Sequence, residues 1–282
     1  MQFLSLKDAI AMHVADGDRV ALEGFTHLIP FAAGHEIIRQ GRRGLHLIRM
    51  TPDLIYDQMI GMGCARGLTF SWGGNPGVGS LHRLRDAAEH AWPHAIELDE
   101  HSHAGMAAAY CAGAANLPFG TLRGYLDNDL DKINPKIRRV DCPFTGERLA
   151  AVQAIRPDVT ILHAQRADHQ GNVAIHGIVG VQREAAMAAT TLVVTVEEVV
   201  ERLPAAMNSV VLPHWIVDAV VHCPGGAYPS YAHGHYARDN AFYQGWDAIA
   251  RDRERFMEWM REHVLETADH AGFLARLHRQ AA

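Results

Sequence analysis

Leu68-Thr-Phe-Ser71-Trp-Gly-Gly-Asn75-Pro-Gly-Val-Gly-Ser80 passes from an apolar run into ten residues that hold four glycines and a proline. Glycine admits backbone conformations closed to other residues and lets a ligand approach the main chain. A change from strand-like to loop chemistry within one residue is the mark of a binding loop at the carboxyl edge of a sheet. The loop carries no cysteine, lysine or acid, so it has the means to position a ligand but no group to attack one. It is not a phosphate-binding P-loop, since no Gly-Lys-Ser/Thr follows, and Gly77-Val-Gly79 lacks the third glycine of a dinucleotide fingerprint. Ser80 is expected to cap the helix that follows.

Outward from this loop, apolar runs alternate with helical patterns. Arg19–Glu23, Leu45–Met50, Leu68–Ser71 and Ala95–Asp99 read as strands in the first half, and Val159–His163, Asn172–His176, Thr191–Thr195 and Val217–Val221 in the second. Helices are expected over Ala33–Gln40, from Thr51-Pro52 onward, and over Leu81–Ala91, Ala104–Ala115, Glu184–Ala189 and Asp247–Leu265. Strands separated by helices imply an α/β fold with an open, mainly parallel sheet flanked by helices. Residues 120–148 lack strong periodicity and read as an excursion with room for a short hairpin. No linker or repeat divides the chain, so residues 1–282 are read as one domain.

With 282 residues, 48% of them hydrophobic, the chain has material for a large core. A net charge of −6 argues against a nucleic-acid partner. No run approaches the length needed to span a bilayer, and Met1–Asp8 lacks the features of a signal peptide, so a cytoplasmic protein with no membrane attachment is expected. Cys64, Cys111, Cys142 and Cys223 are widely spaced and form no CxxC. Among nineteen histidines, the pairs His101/His103 and His233/His235 have no third ligand at metal-binding spacing, and no metal is expected.

Three further segments carry chemistry. Glu23-Gly-Phe-Thr-His-Leu-Ile-Pro30 closes the first strand; it is either a tight turn or, through amides beside Gly24, a pocket for a developing oxyanion. Asp99-Glu-His-Ser-His103 places an acid and two imidazoles at a strand end, suited to proton transfer, or to capping by Ser102 with the charges in water. Asp168-x-x-Gly171-Asn172 after a buried strand reads as a hairpin connection that needs no ligand. No GxSxG occurs, and the chain offers no clear nucleophile for covalent catalysis.

Asp18-Arg-Val-Ala-Leu-Glu-Gly-Phe-Thr26, Asn75-Pro-Gly-Val78, Leu117-Pro-Phe119, Val159–Asn172 and Val217-Asp-Ala-Val-Val221 together resemble the A (α) subunit of family I coenzyme A transferases, glutaconate CoA-transferase-like, from Leu6 to about Glu266. The resemblance implies the CoA-transferase (NagB/RpiA-like) fold. It implies ping-pong chemistry in which a glutamate on a partner B (β) subunit forms a glutamyl-CoA thioester, within a heterodimer or heterotetramer. The expected substrates are succinyl-CoA and a 3-oxo or unsaturated dicarboxylic acid, 3-oxoadipate foremost, with no cofactor beyond the CoA thioesters. It implies substrate-facing roles for Gly24 and Phe25 and for the Asn75–Val78 loop, Gly77 and Val78 included. The residues themselves add amides of Gly73, Gly74 and Gly77, with His27 or Asn75, to hold a dicarboxylate's distal end, and Thr26 as a further substrate-binding candidate. Glu23 departs from the frequent Gly-Gly-Phe, and Pro76 stands where relatives often have serine. The alternatives are a ring-opening acyl-CoA hydrolase on the same fold, in which Glu100 is the base to watch, and a ligand-sensing module.

Overall fold

The computed structural model describes residues 1–76, 79–126, 128–206 and 208–280, the last three through their backbone alone. In chain order the elements are β1 Gln2–Phe3, α1 Leu6–His13, β2 Arg19–Glu23, α2 Phe31–Arg39, β3 Leu45–Ile48, α3 Leu54–Gly61, β4 Ala65–Phe70, α4 His82–His90, β5 Glu97–Glu100 and α5 His103–Ala114. There follow β6 Phe119–Leu122, α6 Leu130–Ile133, β7 Ile137–Asp141, β8 Arg148–Gln153, β9 Val159–Asp168, β10 Val173–His176, α7 Gln182–Ala188, β11 Thr191–Val200, β12 Ser209–Leu212 and β13 Ala219–His222. Helices α8 Asn240–Ala250, α9 Arg253–Met260 and α10 His270–Gln280 complete the described chain.

The main sheet runs β1-β13-β11-β9-β2-β3-β4-β5, every neighbouring pair parallel, with β10 antiparallel to β9 and β12 antiparallel to β10. From β2 the chain steps outward through β3, β4 and β5; from β9 it steps the other way through β11 and β13. The order therefore reverses between β2 and β9, the place where α/β sheets open a crevice at their carboxyl ends. β2 stops at Glu23, opposite Leu162, while β9 continues to Asp168 and pairs with β11 as far as Val200. Six further residues at about 3.3 Å each make a wall beyond the end of β2.

Alternation along the strands feeds three cores, one of them built on Leu162 and Ala164 of β9 with Val194 and Val196 of β11, and the other two on opposite sides of β2 and β3. Val20, Leu22, Leu45, Leu47 and Leu68 pack with α1–α4 and the carboxyl-terminal helices, including Trp246, Phe256 and Phe273. Ala21 and Ile48 point to the opposite face, against Met106, Ala109 and Tyr110 of α5 and Ala185 and Ala188 of α7. On that face Glu23 follows Ala21 by two residues and enters the layer between sheet and α5.

Three local expectations are corrected. Leu81, not Ser80, occupies the N-cap of α4; its free N–H groups are satisfied by Asp57 Oδ1 of α3, which accepts from Arg83 N at 2.7 Å and Leu84 N at 3.0 Å. The helix expected from Thr51-Pro52 begins at Leu54 with Asp53 as its cap residue, because Pro52 O turns aside to accept Gly74 N–H. The continuous helix expected over Asp247–Leu265 is broken at Arg251, where Asp252 caps α9 by accepting Arg255 N–H. Strands β6, β8 and β7 form a second, three-stranded antiparallel sheet in that order. Ser102 does cap α5, accepting Gly105 N–H at 3.0 Å. Asp168 does close the β9–β10 hairpin, accepting from Gln170 N and Asn172 N.

Candidate active site

At the switch point, Glu23 is 2% exposed. Its Oε1 accepts Met50 N–H at 3.0 Å and the Tyr110 hydroxyl at 2.8 Å. Burial pushes its carboxyl up to about 7, against the opposing pull of Arg49, Tyr110 and the Met50 and Gly24 amides. Arg49 is equally buried: Nη2 donates to Gly24 O at 2.8 Å, and Nη1 faces Asp53 Oδ1 at 3.3 Å. Asp53 Oδ2 accepts the Tyr243 hydroxyl at 3.3 Å, and burial raises this carboxyl as well. One buried guanidinium thus serves two buried acids.

Gly24 begins a tightly folded loop. A Cβ there would lie 2.6 Å from Leu28 O and 2.8 Å from His27 O, so only glycine fits. Thr26 and Leu28 adopt φ of 63° and 53°, a left-handed conformation that costs β-branched and bulky residues about 1–3 kcal/mol each. The surroundings impose it. Leu28 N donates to Tyr231 O at 2.9 Å, Ser230 Oγ donates to Thr26 O at 3.1 Å, and Thr26 Oγ1 meets Tyr231 OH at 3.2 Å. His27, fully buried, stacks on Tyr231 at 5.0 Å and bonds Ile178 O through Nε2 at 2.8 Å. A carbonyl partner requires the proton on Nε2, and burial pushes His27 down to about 4, so the ring is neutral near pH 7. Half-buried Phe25 lies against Gly180, where a side chain would clash at 2.7 Å.

Met50 stitches this loop to the glycine loop. Its N–H goes to Glu23, and its C=O accepts Ser71 N at 3.1 Å and Ser71 Oγ at 2.7 Å. Gly73 is exposed and Gly74 buried. Asn75, 2% exposed, donates through Nδ2 to Tyr243 O at 2.7 Å, and Arg238 reaches Pro76 O at 3.1 Å. The amide expected to hold a substrate carboxylate is therefore spent in part on anchoring the loop to α8. Gly77 and Val78 lie outside the described residues. A second, buried path joins the two loops: Gly24 O to Arg49, Arg49 to Asp53, Asp53 to Tyr243, and Tyr243 O to Asn75.

The Asp99–His103 segment divides. Burial alone would raise Asp99, but hydrogen bonds from His101, Lys136 and Thr69 outweigh it and hold the carboxyl well below its usual range. With Asn134 Nδ2 at 2.9 Å, these contacts tie the small sheet to β5, so Asp99 and His101 are structural. The Lys136 ammonium is spent on this tie, 2.5 Å from Asp99 Oδ2. Glu100 stands exposed at the carboxyl end of β5, and His103 Nδ1 lies 3.1 Å from Ser71 Oγ. The His233/His235 pair separates, His233 meeting His176 edge to face and His235 beside Glu198. Among the described residues no three potential ligands converge on a metal site, and no helix is long and apolar enough to cross a membrane.

Arg49, Asp53, Tyr110, Tyr231 and Tyr243 were not singled out from the sequence. Only Arg49 left a signal there, as a charge inside the apolar run Leu45–Met50.

Strained backbone, a neutral histidine, an apolar ring and a buried cluster of acids around Arg49 thus meet at the carboxyl edge of the sheet, at its switch point. The sequence profile of the coenzyme A transferases matches residues 3–223. The A (α) subunit of a 3-oxoadipate CoA-transferase, from Pseudomonas knackmussii, is 63% identical over 276 residues, 98% of each chain. The corresponding subunit of glutaconate CoA-transferase from Acidaminococcus fermentans is 32% identical over 97% of this chain and 91% of its own. The crystal structure of glutaconate coenzyme A-transferase from that organism superposes with a TM-score of 0.91 at 31% identity, covering 98% of this chain and 93% of the other. With its profile match across the main sheet and its full-length relatives, the chain belongs to the coenzyme A transferase family.

Proposed function

We propose that this chain is the α subunit of a two-subunit enzyme that moves CoA from succinyl-CoA to 3-oxoadipate, in the breakdown of aromatic compounds. The observation that carries the reading is the 63% identity, over 98% of both chains, to a protein named for that acid. A glutamate of the β partner attacks the thioester carbonyl, and the C–S bond breaks to give a mixed anhydride and CoA thiolate. The thiolate then opens the anhydride at the glutamyl carbonyl, releasing succinate and leaving a glutamyl-CoA thioester. The acceptor carboxylate passes through the same steps in reverse.

In this scheme the chain supplies the acid-binding wall. Amides of the Gly24–His27 loop face the oxygen that gains charge, where fixed dipoles need no reorganisation. Phe25 covers the acyl chain, and Thr26 with the Gly73–Val78 loop holds the distal carboxylate. The reaction needs no cofactor beyond the CoA thioesters and runs in the cytoplasm as an αβ or α2β2 assembly.

The test is co-expression with the β partner, followed by assay of CoA transfer from succinyl-CoA to a panel of dicarboxylic acids. Transfer that is fastest to 3-oxoadipate supports the reading. Preference for another acid overturns the substrate, and hydrolysis in place of transfer, lost in Glu100→Gln, favours the ring-opening hydrolase.

A further inference from the structure

Glu23, Arg49 and Asp53 are buried together beneath the Gly24 loop, and the proposed transfer gives Glu23 no role as a nucleophile. Two carboxylates and one guanidinium would leave an unbalanced negative charge in a site closed to water, which is costly enough that one acid keeps its proton. The hydrogen bonds say which. Asp53 faces the guanidinium at 3.3 Å, whereas Glu23 takes both Met50 N–H and Tyr110 O–H on Oε1. Neither donor to Glu23 carries a charge, and among the described residues no cation stands at salt-bridge distance from it, so Glu23 is the acid that keeps the proton.

We infer that Glu23 is a protonated positioning residue that holds the end of β2 electrically neutral, so that an anionic acyl centre can form on the adjoining loop. Ionised, it would stand one residue from Gly24 and oppose that charge. The other titratable groups facing this cluster are Tyr56 of α3, whose hydroxyl bonds Ile48 O, Tyr110 of α5 and Tyr243 of α8, all raised by burial, with Arg238 beyond Tyr243. None of the tyrosines therefore loses a proton near neutrality. Burial likewise pushes the Glu23 carboxyl up, in the sense the geometry requires.

The functional half of this inference rests on the CoA-transfer reading; the proton itself does not. Infrared difference spectroscopy of the protein between pH 6 and pH 9 is expected to show the C=O stretch of a neutral carboxylic acid that fades with rising pH and is missing from Glu23→Gln. Its absence from the parent protein at pH 6, or its survival in Glu23→Gln, overturns the assignment. In the assembled enzyme, kcat/KM is expected to fall about tenfold per pH unit above that ionisation, and Glu23→Gln to keep its activity and lose this alkaline limb. Tyr110→Phe, which removes one donor to Oε1, shifts the limb without abolishing it. An identical limb in parent and Glu23→Gln refutes the positioning role even where the infrared band is present. An assembly that moves no CoA refutes the transfer reading and leaves the infrared result standing.

Discussion

The loops after β2 and β4 sit near one another on the carboxyl edge and are built on opposite principles. Within residues 71–76 two adjacent glycines carry the turn, and a methyl at Gly73 would meet side-chain atoms alone, Leu84 Cδ2 at 3.3 Å, Pro52 Cγ at 3.7 Å and Leu81 Cδ1 at 3.9 Å. Residues 24–28 contain a single glycine, wedged against backbone oxygens, and hold Thr26 and Leu28 in left-handed conformations through Tyr231, Ser230 and Ile178. Glycine content marks where a chain turns freely. Stored strain marks where the fold insists on one geometry, and strain of that kind gathers at functional sites. Backbone constraint is thus tightest in the β2 loop, and Gly73 of the β4 loop meets only side chains.

The largest blow falls on the cluster beneath the β2 loop. Arg49→Leu leaves two buried acids without their cation and is expected to cost about 3–5 kcal/mol in chemical denaturation. Stability that stays within about 1 kcal/mol of the parent would show that both acids are already neutral. Glu23→Gln acts through pH. The folded carboxyl lies at about 7, above its ordinary 4.5, so the native state binds the extra proton. The parent therefore loses stability from this group as pH climbs from 4.5 to about 7. At about 1.36 kcal/mol per unit that is about 3 kcal/mol. Denaturation at pH 5 and pH 8 is expected to show this fall in the parent and a flatter profile in Glu23→Gln.

One substitution made in both loops sharpens the contrast. Gly24→Ala is expected to lower kcat/KM about 100-fold, the effect of displacing a positioned group by about 1 Å, and Gly73→Ala to leave it nearly unchanged. Equal losses would remove the distinction between the loops. A modest effect on stability is expected from Asn75→Ala, which deletes the bond to Tyr243 O and costs about 1 kcal/mol in chemical denaturation.

Much of this was legible in the sequence. The apolar runs at Arg19–Glu23, Leu45–Met50 and Val159–His163 are strands because buried parallel strands need little else, and Ser102 and Asp168 act on backbone within four residues. What escaped depends on distant partners. The cap of α4 is Asp57, more than twenty residues upstream, which no local pattern can announce. Glu23 could be noticed only as a departure from Gly-Gly-Phe; its meaning arrives with Tyr110 and Arg49, brought in by α5 and β3. The glycine loop drew the eye because it is punctuation, while the strained loop is spelled in ordinary residues.

If this chain builds the acid-binding wall, the attacking carboxylate must come from its partner. Intact-mass measurement of both proteins, after the assembled enzyme has met succinyl-CoA and been quenched, tests that division of labour directly. The predicted result is one CoA joined through a thioester to the partner, removable by borohydride, with this chain at its unmodified mass. CoA found on this chain, at Glu23, Glu100 or any other carboxyl, would contradict it.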